Sequence, residues 1–323
     1  MKSHRTIILL ILLTLILVFS ACSNGSKNES NQIETVKMTT GPSGLTVHTL
    51  GSTLSEFIKD SILISVEPGT PNGNAISVNS GEAEFGISMT TSVVNGYNGE
   101  NYYQDKDKLE NIRVVATLWH HYLLPVTGDS SIKDISQIKG KEFTSGPPGG
   151  DAEPLAIQLL SYAGLTESDY TITPYTFTEA VEALKNRQID LMFAGSPMPN
   201  SLHEDLGKTL GGRYITIGKE NAERLVNEYN GLYLMEFDEA PSGMEIDKPY
   251  YTASYKAVLI TNKDIPDEIV YEMTKGLYDN YDRLGNAIVN MKSFPIEELM
   301  DEVGNVPYHP GAIKYYQEVE LAN

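Results

Sequence analysis

The 323-residue chain is predicted to form an α/β fold with mostly parallel sheets and two lobes. Three observations predict it. Segments with strand-like and helix-like hydrophobic spacing alternate along the chain. The length is too great for one small core and fits two folded parts. Apolar residues make up 41% and charged residues 21%, which is typical of a globular protein and excludes a disordered or fibrous one.

Strands and helices alternate through the first third of the chain. Short runs rich in apolar residues predict strands at 36–39, 62–66, 84–89 and 112–118. A glycine-rich turn follows the first of these strands. After that turn, apolar residues recur at the spacing of one helix face and predict a helix; they are Leu50, Leu54, Phe57 and Ile58.

The same alternation continues to the end of the chain. Two helices are predicted from apolar spacing, one through Leu155, Leu159 and Ala163 and one through Val181 and Leu184. Gly164 stands just past the first, where a helix end favours glycine. Thr176 and Glu179 form a capping box that begins the second. A strand at 257–261 comes before Pro266, which lies in the first turn of a further helix.

The two lobes are predicted to be discontinuous in sequence. We place the chain crossings near Val126 and near Ser254. Lobe 1 then comprises 36–125 and 255–323, and lobe 2 comprises 126–254. A chain that crosses twice makes a two-stranded hinge with a cleft between the lobes.

The N-terminal segment has the pattern of an export signal. Lys2 and Arg5 precede an apolar run over 6–19, which is too short to span a bilayer comfortably. Small residues then precede Cys22, as in a bacterial lipoprotein box. We therefore expect a signal peptide at 1–21, a lipid on Cys22, a flexible tether at 22–35, and a protein anchored on the outer face of the cell membrane. An uncleaved anchor and a plain signal peptide with an incidental cysteine are the alternatives.

Charge and residue usage exclude several functions. Lys and Arg number 24 against 43 Asp and Glu, a net charge of −19 that disfavours binding to nucleic acid. The single cysteine excludes an intrachain disulfide and an iron–sulfur cluster. No GxSxG, HExxH or zinc pattern occurs, so the sequence indicates neither an enzyme nor a metal or cofactor site.

Two glycine-rich turns, each between a predicted strand and a predicted helix, are the candidate binding elements. Glycine lets successive backbone N–H groups converge, and the helix that follows adds a partial positive charge. Such turns suit a carboxylate or a phosphate. In many turns, however, glycine serves only the backbone conformation of the turn and binds nothing. The first turn offers Gly41, Ser43, Gly44 and Thr46; the second offers Gly146, Gly149, Gly150, Asp151 and Ala152.

These turns belong to a series of short motifs that together resemble the TAXI family, the extracytoplasmic solute receptors of TRAP transporters. The resemblance runs from about Val36 to the C-terminus. Besides the two turns, the matching stretches are Val66 to Pro68, Ser80 to Ile87, Tyr97 to Gly99, Ile138 to Lys141, Gln188 to Asp190, Ala194 to Pro197, Leu259 to Thr261, Ile265 to Pro266 and His309 to Ala312. Each stretch is short, but their order and spacing together are specific.

The resemblance implies a type II periplasmic-binding-protein fold with a ligand cleft between the lobes. It implies a receptor, not an enzyme, that closes on a small organic acid such as glutamate or 2-oxoglutarate. The receptor would deliver this ligand to a sodium-coupled TRAP-type membrane permease. Implied contact positions beyond the two turns are Thr90, Thr91, Gly195, Ser196 and Pro197.

The chain departs from the family pattern at three places. His48 and its neighbours replace a glycine and two aromatic residues after the first turn, and Met89 replaces a common Gln. The second turn reads Gly149-Gly150-Asp151-Ala152 where the family commonly has Gly-Ser-Gly-Thr, so Asp151 replaces a glycine. Asp151 has three interpretations: an N-cap of its own helix, which we favour; repulsion of a ligand carboxylate; or a partner for a ligand amino group.

The histidines receive mostly structural interpretations. His120 and His121 follow a predicted strand and point to opposite faces, so they would chelate one metal poorly. His48 is a candidate cleft residue. His203 is predicted to lie at a solvated helix start, and His309 to fix a C-terminal turn.

Two alternatives to the transport receptor remain open at this stage. The first is an enzyme on the same two-lobed fold, because fold does not fix function. The second is a ligand-sensing partner of a membrane signalling protein.

Overall fold

A computed structural model describes residues 34–148 and 150–322. The predicted signal peptide, Cys22 and nearly all of the predicted tether lie outside the described residues, as does Gly149 of the second turn. Residues Thr35–Asn323 form one compact unit. In the described part of the chain, no helix has the length and apolar character needed to cross a membrane.

Ten strands and eleven α-helices are described. The strands are β1 (Glu34–Thr40), β2 (Ile62–Pro68), β3 (Phe85–Met89), β4 (Ile112–Thr127), β5 (Glu142–Thr144), β6 (Thr171–Ile172), β7 (Leu191–Pro197), β8 (Arg213–Tyr214), β9 (Tyr233–Phe237) and β10 (Tyr250–Asn262). The helices are α1 (Thr46–Phe57), α2 (Pro71–Ser80), α3 (Thr90–Asn98), α4 (Ala152–Tyr162), α5 (Phe177–Lys185), α6 (Ser201–Leu210), α7 (Lys219–Glu228), α8 (Asp267–Asp279), α9 (Tyr281–Ala287), α10 (Val289–Lys292) and α11 (Pro310–Glu318). Short 3₁₀ segments are Asn101–Tyr103, Ile135–Ile138, Glu167–Asp169, Pro241–Gly243 and Ile296–Met300.

The strands form one mixed sheet in the order β2-β1-β3-β10-β4-β7-β5-β6, with β8 paired to β4 and β9 to β10. Strand β10 is antiparallel to β3, β4 and β9, and β4 is antiparallel to β7 and β8. Parallel pairing joins β1 to β3 and β5 to β6 and β7. The prediction of a mostly parallel sheet was therefore wrong, because two long strands run through its middle in opposite directions.

Strands β4 and β10 each belong to two groups of strands. Strand β4 pairs with β10 from Ile112 to Tyr122 and with β7 from His121 to Thr127. Strand β10 pairs with β3 near its C-terminal end and with β9 at its N-terminal end. The predicted strand at 112–118 was too short, and His120 and His121 lie inside β4 rather than after it.

Local signals placed the helix ends correctly. The Thr176 side chain accepts a hydrogen bond from the Glu179 N–H, and the Glu179 carboxylate accepts one from the Thr176 N–H, which completes the predicted capping box of α5. Gly164 has φ +78° just past α4, a conformation that favours glycine. Pro266 immediately precedes α8. On α1, the predicted apolar face is buried at Leu50 and Leu54.

The main apolar core extends along both groups of strands. One cluster of buried residues runs from Met38 and Phe85 to Phe143 and Phe193. A smaller cluster surrounds Tyr103, and another surrounds Tyr250. The buried cluster includes residues of both β4 and β10, so these two strands pack in the same core.

Candidate functional site

A cavity of about 400 Å³ lies where both glycine-rich turns meet. The first turn contributes Gly41, Ser43 and Thr46, and the second contributes Gly150, Asp151 and Ala152. The β7 end contributes Gly195, Ser196 and Pro197. The structure thus brings nine of the sequence-predicted contact residues to one cavity. Its size fits a small molecule.

Five helices begin at this cavity. The cavity wall includes Thr46 of α1, Pro71 of α2, Ala152 of α4, Phe177 of α5 and Leu202 of α6. The first backbone N–H groups of a helix lack partners within the helix, and they carry the positive end of its dipole. The cavity is therefore suited to an acceptor group such as a carboxylate.

Three of these five helices already have a side-chain cap. Thr70 accepts a hydrogen bond from the Gly73 N–H at α2, and Thr176 caps α5. Asn200 accepts from the Leu202 and His203 N–H groups at α6. Neither α1, whose N-cap is Leu45, nor α4, whose N-cap is Asp151, has a side-chain capping hydrogen bond. The two uncapped helices are those that follow the glycine-rich turns.

The remaining predicted residues of the two turns lie beside the cavity. Gly44 has φ +89° and is exposed. His48 is not among the described lining residues; its Nδ1 is 2.9 Å from the Thr40 hydroxyl. Gly146, with φ +103°, is buried, and a Cβ there would stand 3.3 Å from the Phe177 ring. These residues shape the turns without lining the cavity.

Thr90 and Thr91, the first residues of α3, also lie away from the cavity lining. The Thr90 hydroxyl donates a hydrogen bond to the Gly231 carbonyl at 2.8 Å and accepts one from the Lys256 N–H at 3.1 Å. Thr91 is buried. Thr90 therefore ties α3 to β10 and to the segment before β9.

Asp151 holds the only carboxyl group among the described lining residues. It occupies the N-cap position of α4, but its side chain does not cap the helix, so the interpretation we favoured from the sequence was wrong. The Asp151 Oδ2 is enclosed and has no hydrogen-bond partner among the described residues. Burial raises the pKa of Asp151 to about 6, and the neighbouring Tyr255 hydroxyl opposes that rise.

The raised pKa of Asp151 predicts that Asp151→Asn stabilises the empty protein. The carboxyl binds its proton more tightly in the folded state, so wild-type stability increases as pH falls from above 6 to below about 4. The Asn variant lacks this pH dependence. We expect its free energy of unfolding to exceed that of wild type by about 2 kcal/mol at pH 8, with the difference vanishing below about pH 4.

Urea unfolding at pH 8 and at pH 4 measures this difference. Asp105→Asn, which removes the same charge from an exposed position, is the matched control and should change stability little at either pH. An Asp151→Asn variant less stable than wild type at pH 8 would contradict the prediction.

A stacked pair of rings forms the floor near Asp151. Tyr255 is 1% exposed, and its ring stacks on His121 at a centroid distance of 5.8 Å. The Tyr255 hydroxyl lies against Gly195, where an added Cβ would stand only 1.4 Å away. His121 lines the cavity, and burial lowers its pKa to about 4. Only glycine fits at position 195 beside this ring.

A buried histidine behind the β7 end was missed in the sequence. His203 is fully buried and lines the cavity, so the prediction of a solvated helix start was wrong. Its Nε2 is 3.3 Å from the Ser196 hydroxyl and its Nδ1 is 2.9 Å from the Tyr214 hydroxyl. Burial lowers the pKa of His203 to about 3, so the ring is neutral. The acidic neighbours of His203 suggested solvent, while its partners lie elsewhere in sequence.

Asn74 is a second lining residue that sequence reasoning missed. Its side-chain amide donates hydrogen bonds to the Thr40 carbonyl at 2.8 Å and to the Ile87 carbonyl at 2.7 Å. It thereby links the ends of β1 and β3 beneath the first turn.

The charge of the cavity rests on few groups. Among the described lining residues, the ionisable side chains are Asp151, His121 and His203, and no Lys or Arg is present. In the part of the chain that the structure describes, no cluster of His, Cys, Asp and Glu is arranged to hold a metal ion. The polar groups of the lining are therefore backbone N–H groups, hydroxyls, two side-chain amides, two neutral imidazoles and one carboxyl group.

Solved structures with a similar chain trace include a periplasmic transporter and two small-molecule-binding proteins. A periplasmic transporter superposes with a TM-score of 0.50 at 13% identity, over 89% of this chain and 93% of that one. The alkanesulfonate-binding protein SsuA from Xanthomonas axonopodis pv. citri, bound to MOPS, gives 0.45 at 13% identity, over 89% and 90%. An ancestral arginine-binding protein bound to arginine gives 0.46 at 14% identity, over 79% and 97%.

The predicted fold class is confirmed: this is the mixed α/β fold of the periplasmic binding proteins. A family model described as NMT1-like matches residues 38–319, which include every strand from β2 to β10 and every residue lining the cavity. The chain belongs to the NMT1-like family.

Proposed function

We propose that this protein is an extracytoplasmic solute receptor that binds a small carboxylate-bearing ligand in the cavity and performs no chemistry on it. The observation that carries the proposal is the meeting of two uncapped helix N-termini, at α1 and α4, in one cavity. Their free N–H groups and positive dipole ends favour an anionic group. The hydroxyls of Ser43 and Thr46 lie on the same wall.

Ligand capture occurs by hinge closure in this proposal. The lobes are 36–125 with 255–323, and 126–254. Strands β4 and β10 carry the chain between the two groups of strands, so a change of backbone angles near His121 and Ser254 would move one group against the other. Each uncapped helix follows a turn of a different lobe, so closure brings both to one ligand.

The delivery partner in this proposal is a sodium-coupled permease of the TRAP type, and the receptor stays at the outer face of the membrane through a lipid on Cys22. The support is the resemblance of the motif series to TAXI receptors and the lipoprotein-like residues before Cys22. That resemblance suggests the glutamate and 2-oxo acid class as the starting point for ligand tests.

Thermal unfolding of the chain from Ser23 onward tests receptor function. The panel holds dicarboxylates, 2-oxo acids, acidic and neutral amino acids, sulfonates and phosphate esters. A ligand at a thousand times its Kd adds about 4 kcal/mol to stability, so we expect a clear rise in Tm with one chemical class. Mass spectrometry of the recovered ligand should show it unchanged.

Two threonines of α1 give a matched pair for locating that binding. Thr46 lines the cavity, whereas Thr49 is exposed and its hydroxyl donates to the Leu45 carbonyl. Thr46→Ala should reduce the ligand-induced rise in Tm, and Thr49→Ala should leave it unchanged. If no compound raises Tm and the denatured protein releases no bound molecule, receptor function is refuted.

A further inference from the structure

We propose that the ligand carries a protonated amino group that binds Asp151, and that it is a zwitterion with an apolar side chain rather than a dicarboxylate. This inference rests on the proposed receptor function and names the chemical class of its ligand. It departs from the glutamate and 2-oxo acid class that the motif resemblance suggests.

The cavity holds one acidic side chain, Asp151, and no basic side chain among its described lining residues. A second negative group brought by a ligand would have no positive side chain to balance it. Among the described lining residues, no Lys or Arg is present, and His121 and His203 are buried with pKa values lowered to about 4 and 3. Both rings are neutral near pH 7. A dicarboxylate would therefore place two negative charges in a cavity that already holds Asp151, with only uncharged donors to oppose them.

One oxygen of the Asp151 carboxyl lacks a hydrogen-bond partner. This oxygen, Oδ2, is enclosed and has no partner among the described residues. A buried carboxylate oxygen without a donor is costly, so a site that retains one needs a donor from elsewhere. An ammonium group supplies both the hydrogen bond and the opposite charge.

The two uncapped helices divide the ligand's charges between them. Helix α1 has no acidic residue in its first turn, so its N-terminus is a positive pole open to a carboxylate. At α4 the Asp151 carboxyl lies beside the free N–H groups and Glu153 lies in the first turn, so this helix end offers an anion less positive charge than the α1 end does. The ligand carboxylate therefore binds at α1 and its amino group at Asp151.

Six apolar side chains form part of the wall. Side chains from both halves of the cavity contribute to it: Leu45, Val47, Ile87, Met89, Phe177 and Met192. A charged ligand side chain would lose hydration there without a partner, whereas an aliphatic, thioether or aromatic side chain gains from burial. This selects neutral amino acids over glutamate.

Matched pairs of compounds that differ only at the amino group test the proposal. The probes are L-leucine, L-methionine and L-phenylalanine, each with its 2-oxo acid counterpart, together with L-glutamate and 2-oxoglutarate. By calorimetric titration we expect at least one neutral amino acid to bind at least about tenfold tighter than its 2-oxo counterpart and than glutamate. In Asp151→Asn, the preference for the neutral amino acid should shrink to about threefold or less. This substitution removes the negative charge of the side chain and keeps its shape.

Asp105→Asn is the control and should keep the full preference, since it changes the net charge equally at an exposed site. Tighter binding of 2-oxoglutarate or glutamate, or a preference unchanged in Asp151→Asn, overturns the inference while leaving receptor function intact. Failure of all three neutral amino acids to bind also overturns it. Receptor function is refuted by a different result: no compound of the wider panel raises Tm, and the denatured protein releases no bound molecule.

Discussion

Gly195→Ala is expected to destabilise the protein by about 3 kcal/mol and to abolish the ligand-induced rise in Tm. The Cβ would stand 1.4 Å from the Tyr255 hydroxyl and 2.5 Å from its Cζ, distances that no side-chain adjustment of alanine can relieve. Tyr255 is 1% exposed and stacks on His121, so its ring is closely packed at its present position. Either the ring moves into the cavity or β7 shifts away from β4.

Both responses disturb the ligand site. If the ring moves, the Tyr255 hydroxyl leaves its place beside Asp151, a residue that lines the cavity. If β7 shifts, Ser196 and Pro197 move with it, and both line the cavity. The loss of binding is therefore expected to exceed what the loss of stability alone would cause.

A double-mutant cycle with Tyr255 separates the steric cause from a general effect on β7. In a Tyr255→Ala background the clashing atoms are absent, so Gly195→Ala should then cost less than about 0.5 kcal/mol. Urea unfolding of the four proteins gives the coupling energy. An equal cost of Gly195→Ala in both backgrounds would show that the Tyr255 contact is not its source.

Features set by neighbouring residues were predictable from the sequence, and features set by distant partners were not. The capping box at Thr176, the glycine past α4 and the two turns before α1 and α4 follow from residues within a few positions of one another. The direction of β4 and β10 depends on pairing across the sheet, which apolar spacing does not encode. Hence the elements were located but the sheet was wrongly expected to be mostly parallel.

The candidate site divides in the same way. Both glycine-rich turns were recognisable, and the structure places both at one cavity. The pKa of Asp151 depends in part on Tyr255, and the burial of His203 involves Ser196 and Tyr214. The residues next to Asp151 and His203 in the sequence do not reveal these distant partners. A polar residue next to other polar residues is predicted to be solvated unless its distant partners are known.

Lys256→Met is expected to be the most destabilising single change outside the cavity, at about 3 kcal/mol. Lys256 is 2% exposed in the middle of β10, and its Nζ pairs with Glu298 at 2.6 Å and with Asp301. Removing the ammonium leaves two carboxylates facing each other around an apolar methionine. Their side chains are 35% and 41% exposed and regain some hydration, which keeps the cost below that of a fully buried pair.

Methionine is chosen because it keeps the length and the apolar stem of the lysine side chain. The loss of stability in Lys256→Met therefore measures the removal of the charge and not the creation of a cavity. Lys275→Met is the matched control, because Lys275 pairs with Asp279 on an exposed helix face and should cost less than about 0.5 kcal/mol. Urea unfolding at pH 7 compares the two variants. Equal losses of stability in Lys256→Met and Lys275→Met would show that the burial of Lys256 does not determine the cost of removing its charge.

A second readout distinguishes lost charge from general loosening. His120 lies beside this cluster, and its pKa is lowered to about 4 by burial and by the nearby Lys256 ammonium, while Glu298 and Asp301 act in the opposite direction. Removing the ammonium leaves only the carboxylates and the burial, so the pKa of His120 should rise in Lys256→Met and stay unchanged in Lys275→Met. A titration followed by the His120 ring resonances in NMR spectra measures it. Because His120 is in β4 and Lys256 in β10, a shift confined to Lys256→Met would establish that a charge on one of the two crossing strands acts directly on the other.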